Sequence, residues 1–183
     1  MRPRSETGTT VDQRTSSLED RDVRTTFSWK SPDAAHRRQI ADMVTATGVF
    51  RADEVDVALE VFDSFCSAPG KDYWAVGAYS KPDEIVGFAF FGPTPCTLGT
   101  WDLYWIVVHP DFQGCGIGRG LLERVERQMR STGARMCVIE TSSRDDYSMT
   151  RRFYLACGYQ EVARIADFYD VGDERVTYAK QFE

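Results

Sequence analysis

The stretch Gln113-Gly114-Cys115-Gly116-Ile117-Gly118-Arg119-Gly120 constrains this chain more than any other. It follows the apolar run Tyr104-Trp105-Ile106-Val107-Val108. It precedes a pattern in which Leu121, Leu122, Val125 and Met129 share one helical face. Glycine lacks a Cβ and accepts positive φ, so successive backbone N–H groups there can turn toward one point. The helix that follows adds its own free N–H groups and its positive dipole end. A strand, loop and helix of this kind make an anion site suited to a diphosphate. Two familiar phosphate loops fail on residues. The P-loop needs Lys and then Ser or Thr after its last Gly, where this chain has Arg119-Gly120. The dinucleotide fingerprint G-x-G-x-x-G needs Gly at 119 or 121, where Arg119 and Leu121 stand.

The anion must be held by local geometry, because overall charge does not favour it. The 183 residues carry a formal charge of −6. Arg and acidic residues balance within the first 25 positions, so the deficit lies in the body. An acidic body argues against nucleic-acid binding, which depends on Lys and Arg neutralising phosphates. At 42% hydrophobic and 27% charged, the chain suits one well-buried domain. No apolar run approaches the ~20 residues of a membrane helix, so no membrane association is expected. Five scattered cysteines without a CxxC pair fit a reducing compartment. The N-terminus lacks the apolar core of a secretory signal, which makes the cytoplasm the expected location. With only two His and no ligand cluster, no metal is expected.

The pattern along the chain predicts β-α-α-β-β-β-α-β-α-β-β. Residues 1–22 are polar and read as a flexible tail. A strand is expected over Val23–Trp29, then a helix capped by Ser31 with Pro32 at its first position, reaching Thr47. A second helix starts near Asp53, with Val55, Leu59, Phe62 and Cys66 as its buried stripe. Tyr73–Tyr79 and Ile85–Phe91 flank the turn Ser80–Glu84 and read as a hairpin. A long strand spans Thr100–Val108, and the glycine loop leads into a helix over Ile117–Ser131. Then come a strand at Met136–Glu140, a helix at Tyr147–Ala156, and strands at Glu161–Ile165 and Arg175–Gln181. Asp167–Glu174 reads as an acidic, aromatic loop between the last two. The order implies one mixed sheet flanked by helices.

The spacing Gln113, Gly116, Gly118 has the form Q/R-x-x-G-x-G/A. In this context the sequence resembles the GNAT superfamily of acyl-CoA-dependent N-acyltransferases. The likeness covers residues 23–183 and is strongest over 101–159. Ile106-Val107-Val108-His109-Pro110-Asp111-Phe112-Gln113-Gly114-Cys115-Gly116-Ile117-Gly118 resembles the family's central motif. Arg152-Phe153-Tyr154-Leu155-Ala156-Cys157-Gly158-Tyr159 resembles its second signature. The resemblance implies an α/β (α+β) fold: a mostly antiparallel twisted sheet of about six or seven strands with about four helices. It also implies acetyl-CoA as co-substrate and N-acetyl transfer to a primary amine of a small molecule or peptide N-terminus. The alternative is a domain that binds acyl-CoA without catalysis. A homodimer is left open.

The resemblance further assigns roles. Ile106, Val107 and Val108 would offer backbone groups to the pantetheine arm and polarise the thioester carbonyl. Gln113, Gly114, Cys115, Gly116, Ile117, Gly118 and Arg119 would hold the diphosphate. An alkylammonium titrates at about 10 by analogy with Lys, so about one amine in a thousand is nucleophilic at neutral pH. A general base is therefore expected. Glu140 resembles the base of the ribosomal-protein alanine acetyltransferase branch, although Tyr147 stands where that branch carries Asn. Asp102 is the rival, and simple alternation places it on one face with Tyr104 and Ile106. Tyr154 resembles the hydroxyl that acts as the acid, donating a proton to the leaving sulfur. Trp101, Tyr104, Phe168 and Tyr169 are the expected substrate wall, because rings and acidic groups suit a cationic amine.

Overall fold

The computed structural model describes residues 26–183. The expected tail over 1–22 and the expected strand start at Val23 lie outside the described residues. Eleven elements follow in the expected order. They are β1 (Ser28–Lys30), α1 (Arg37–Ala46), α2 (Ala52–Ser67), β2 (Trp74–Lys81), β3 (Glu84–Pro93) and β4 (Thr100–Val108). α3 (Ile117–Ser131), β5 (Met136–Ser142), α4 (Ser148–Ala156), β6 (Gln160–Asp170) and β7 (Asp173–Gln181) complete them. The strands form one sheet in the order β1-β2-β3-β4-β5-β7-β6. Neighbours pair antiparallel except β4 and β5, which run parallel.

The apolar patterns sort the two faces. α1 and α2 cover one with Ile40, Met43, Val44, Ala58 and Phe62, against Phe88 and Phe90 of β3. α3 covers the other with Ile117, Leu121, Val125 and Met129, against Ala89 and Phe91. β3 is therefore buried on both faces, which is why it reads as a continuous apolar run. β6 is exposed along its whole length and closes the sheet as an edge.

Three local expectations need correction. The first helix is capped by Asp33, whose carboxylate accepts from the Ala35 N–H, and it opens with a short 3-10 turn at Ala34–His36. Ser31 instead donates to the Ala75 carbonyl at 3.0 Å, which ties the strand exit to β2. The segment from 167 to 174 is mostly strand: β6 runs to Asp170 and β7 restarts at Asp173. Its carboxylates serve the turn, for Asp167 accepts from the Gly172 N–H and Asp170 from the Val171 N–H, each at 2.7 Å. The third concerns β4. Phe90 pairs with Trp105 but Phe91 with Leu103, so Tyr104 is an extra, bulged residue. Beyond it, Trp105 and Val107 pack with the α1/α2 cluster, and Ile106 and Val108 with the α3 cluster. Asp102 and Ile106 thus lie on opposite faces.

Candidate active site

β4 and β5 pair only from Thr100–Met136 to Leu103–Ile139 and then separate. β4 continues along β3, while β5 keeps the pairing with β7 that it has along its whole length. One edge of β4 is left open over its last residues. Backbone groups alternate along a strand, and here the His109 N–H donates to Val86 of β3 while the Val107 carbonyl faces Gly87. The peptide groups of Ile106 and Val108 therefore face the open edge. Gln113 Nε2 donates to the Val108 carbonyl at 3.3 Å and ties the loop to the strand end.

The glycine loop sits at the mouth of this split. Gly114 and Gly116 have φ of 76° and 81°, a region that costs other residues roughly 1–2 kcal/mol. Gly116 is the N-cap of α3, and a Cβ added at either glycine would meet nothing within 4 Å. The backbone face is thus bare. A groove of about 420 Å³ runs over it, between Ile106 and Val108 on one side and Met149, Thr150 and Phe153 on the other. Cys115 and Arg119 are exposed beside it. The bare amide-lined groove, with a helix N-terminus at its end and Arg119 at its rim, fits the diphosphate and pantetheine of a CoA thioester.

The groove continues into a cleft of about 450 Å³, with which it shares Ile106, Val108, Gln113, Met149 and Thr150. Glu140 and Tyr154 both line this cleft. Glu140 is the first β5 residue past the paired stretch, is exposed, and lies 3.3 Å from Arg175. Tyr154 is buried on α4, and burial raises its phenol well above the ordinary value. Its phenol therefore stays protonated at neutral pH.

Other expected residues fall elsewhere. Asp102 lies back in the paired stretch, opposite Gly92 and Val138, and accepts from the Thr94 hydroxyl at 2.7 Å. Trp101 is buried between Trp74 and Phe91, with ring centroids 4.8 and 6.2 Å away. Phe168 lies under the Arg175 guanidinium, 4.4 Å from ring centroid to cation. Tyr104 and Tyr169 do line the cleft.

The structure adds residues that pattern reading missed. Phe50 and Glu54 reach the cleft from the α1–α2 segment, and Arg144 and Tyr147 from the β5–α4 connection. Arg151 of α4 donates to the Ser142 and Arg144 carbonyls at 2.8 Å each, which fixes that connection. Arg144 in turn donates to the Val49 carbonyl at 2.9 Å and joins the two segments. Only the Phe50-Arg51 pair before a capped helix start and the substitution at Tyr147 hinted at this in sequence.

Comparison with known proteins agrees with this architecture. Residues 35–159 match the family model described as "Acetyltransferase (GNAT) family". A GNAT-family protein from Desulfovibrio desulfuricans shares 36% identity over 85% of this chain and 99% of its own, with a TM-score of 0.82. The Salmonella typhimurium protein yncA, solved with acetyl-CoA, shares 19% identity over 86% and 95% of the two chains, with a TM-score of 0.69. The aminoglycoside 6'-N-acetyltransferase from Enterococcus faecium shares 20% identity over 84% and 96%, with a TM-score of 0.62. No curated protein sequence matches the chain. The chain belongs to the GNAT family of acetyltransferases.

Proposed function

We propose that the protein is an acetyl-CoA-dependent N-acetyltransferase acting on a primary amine of a small molecule or peptide N-terminus, by direct attack in a ternary complex. One observation carries this reading: the split between β4 and β5 opens at one end onto the bare glycine loop and at the other onto a cleft shared by Glu140 and Tyr154. When bound, acetyl-CoA supplies the activated acetyl thioester. The amides from Gly114 to Arg119 hold its diphosphate, and the open-edge peptide groups of Ile106 and Val108 align its arm and polarise the carbonyl. Such oxyanion stabilisation is worth a few kcal/mol.

Glu140 is the proposed base. It takes the proton of the attacking amine, directly or through one water, as the new C–N bond forms and the C–S bond breaks. Tyr154 donates a hydrogen bond to the departing sulfur. Because burial makes its tyrosinate costly, it steadies the thiolate and does not surrender its proton outright. Asp102 is set aside as base, since its carboxylate is held by Thr94 in the paired stretch. The proposed domain runs past the matched residues to the end of β7, because β7 pairs along all of β5. Five free cysteines suit the cytoplasm we propose as its location.

Thiol release from acetyl-CoA in the presence of an amine panel tests the reading. Tyr154→Phe and Glu140→Gln should lower kcat by about 10-fold or more and 100-fold or more respectively, with CoA affinity within a factor of about two. Unchanged CoA binding with no turnover of any amine by the native protein would instead identify a non-catalytic acyl-CoA-binding domain.

A further inference from the structure

We propose that the acceptor end of the cleft selects a small primary amine bearing a single positive charge on a ring-containing, apolar skeleton, and disfavours polycations. This rests on the acetyltransfer reading above.

Three rings from three separate segments meet at that end. Phe50 lies 4.8 Å from Trp105 of β4 and 6.3 Å from Tyr147, which precedes α4. Tyr104 and Tyr169 extend the aromatic wall. The wall is held in place before any ligand arrives. Arg144 bonds the Val49 carbonyl beside Phe50 and lies over the Tyr147 ring at 5.2 Å. Two residues before Tyr169, Asp167 has φ of 51° and its carboxylate accepts from the Gly172 N–H. An ordered ring surface favours an apolar skeleton and attracts one ammonium by its quadrupole.

The carboxylates at the same end are already engaged. Four carboxylates line the cleft, and each has a partner. Glu54 accepts from the Arg51 N–H at 2.8 Å, and Asp146 pairs with Arg144 at 3.0 Å. Glu140 pairs with Arg175 at 3.3 Å, and Asp173 accepts from the Ser142 hydroxyl and the Ser143 N–H. Arg51 and Arg144 themselves line the cavity. A ligand with several ammonium groups would have to displace Arg51 from Glu54, where they lie 3.6 Å apart, Arg144 from Asp146 and Arg175 from Glu140. A single ammonium needs only the free edge of Glu140. The cavity of about 450 Å³ must also admit the acyl end of the donor, which leaves room for a small acceptor.

The test uses the native protein with acetyl-CoA and three acceptor types: 2-phenylethylamine, the polycations spermidine and kanamycin, and a tetrapeptide with an N-terminal Phe. The expected kcat/KM for 2-phenylethylamine exceeds that for either polycation by about 100-fold. Phe50→Ala should raise KM for 2-phenylethylamine by about 10-fold, a loss in the range of desolvated cation–π contacts, with acetyl-CoA affinity unchanged. A polycation or the tetrapeptide turned over as well as or better than 2-phenylethylamine overturns the inference while leaving acetyltransfer intact. So does a Phe50→Ala variant with unaltered KM. Absence of transfer to all four while another amine of the wider panel is acetylated overturns the inference alone, and absence of transfer to every amine, with CoA still bound, overturns both readings.

Discussion

Gly116→Ala separates the two roles assigned to the glycine loop when it is set beside Gly133→Ala at the other end of the same helix. The two glycines have φ of 81° and 82°, and an added methyl at either would meet nothing within 4 Å. Backbone strain is therefore nearly the same, about 1–2 kcal/mol in each variant. For a domain of this size that lowers Tm by about 2–8 °C. The surroundings differ. Gly116 caps the N-terminus of α3 at the floor of the groove, whereas Gly133 closes its C-terminus, its N–H donating to the Arg130 carbonyl. At position 116 the methyl stands where the diphosphate would rest, and relief of the strain turns amides away from it. Loss of one hydrogen bond to a charged group costs about 1.5–3 kcal/mol. That corresponds to about a 10- to 150-fold weaker Kd for CoA in Gly116→Ala. Gly133→Ala should bind CoA like the native protein. Calorimetric titration with CoA, performed well below both melting points, reads the difference directly. Equal CoA affinity in the two variants would refute the assignment of the loop to the diphosphate, however large the shared loss of stability.

Asp102→Asn should leave the transfer rate within about twofold of native and stabilise the protein at neutral pH. Burial raises the Asp102 carboxyl and the Thr94 hydroxyl only partly opposes it, so the folded state holds this proton more tightly than the unfolded state does. Its contribution is favourable in acid and is lost as pH climbs from about 3.9 through the raised value, so the advantage of Asn should vanish below about pH 4 in chemical denaturation. A 100-fold fall in rate would return Asp102 to the chemistry. Gly92→Ala would place a Cβ 2.3 Å from the Asp72 carbonyl oxygen, a backbone atom that cannot swing aside. We expect a loss of about 1–3 kcal/mol, read as a lower urea midpoint with unchanged slope. An unaltered midpoint would show that the 72–73 segment yields freely.

Much of the site nearest the donor was legible in the chain itself. The loop from Gln113 to Arg119 declares its geometry locally, since glycines opening a helix expose amides whatever packs behind them. Tyr154 and Glu140 follow from the likeness to the GNAT family, and the fold brings both to one cleft. Trp101 and Phe168 show the opposite case. Both are aromatic residues beside the right elements, yet one fills the core and the other covers Arg175. Composition does not say which way a ring points.

The order of strands and helices, the apolar stripe of α3 and the anion-binding turn follow from periodicity and backbone freedom, which act over a few residues and need no distant partner. Where β4 and β5 part, which carboxylate faces the opening, and that Phe50, Trp105 and Tyr147 converge depend on pairing between segments far apart in the chain. A single bulged residue, Tyr104, moves Ile106 to the face opposite Asp102. Such a register change is set by the neighbouring strands, and only the folded sheet decides it.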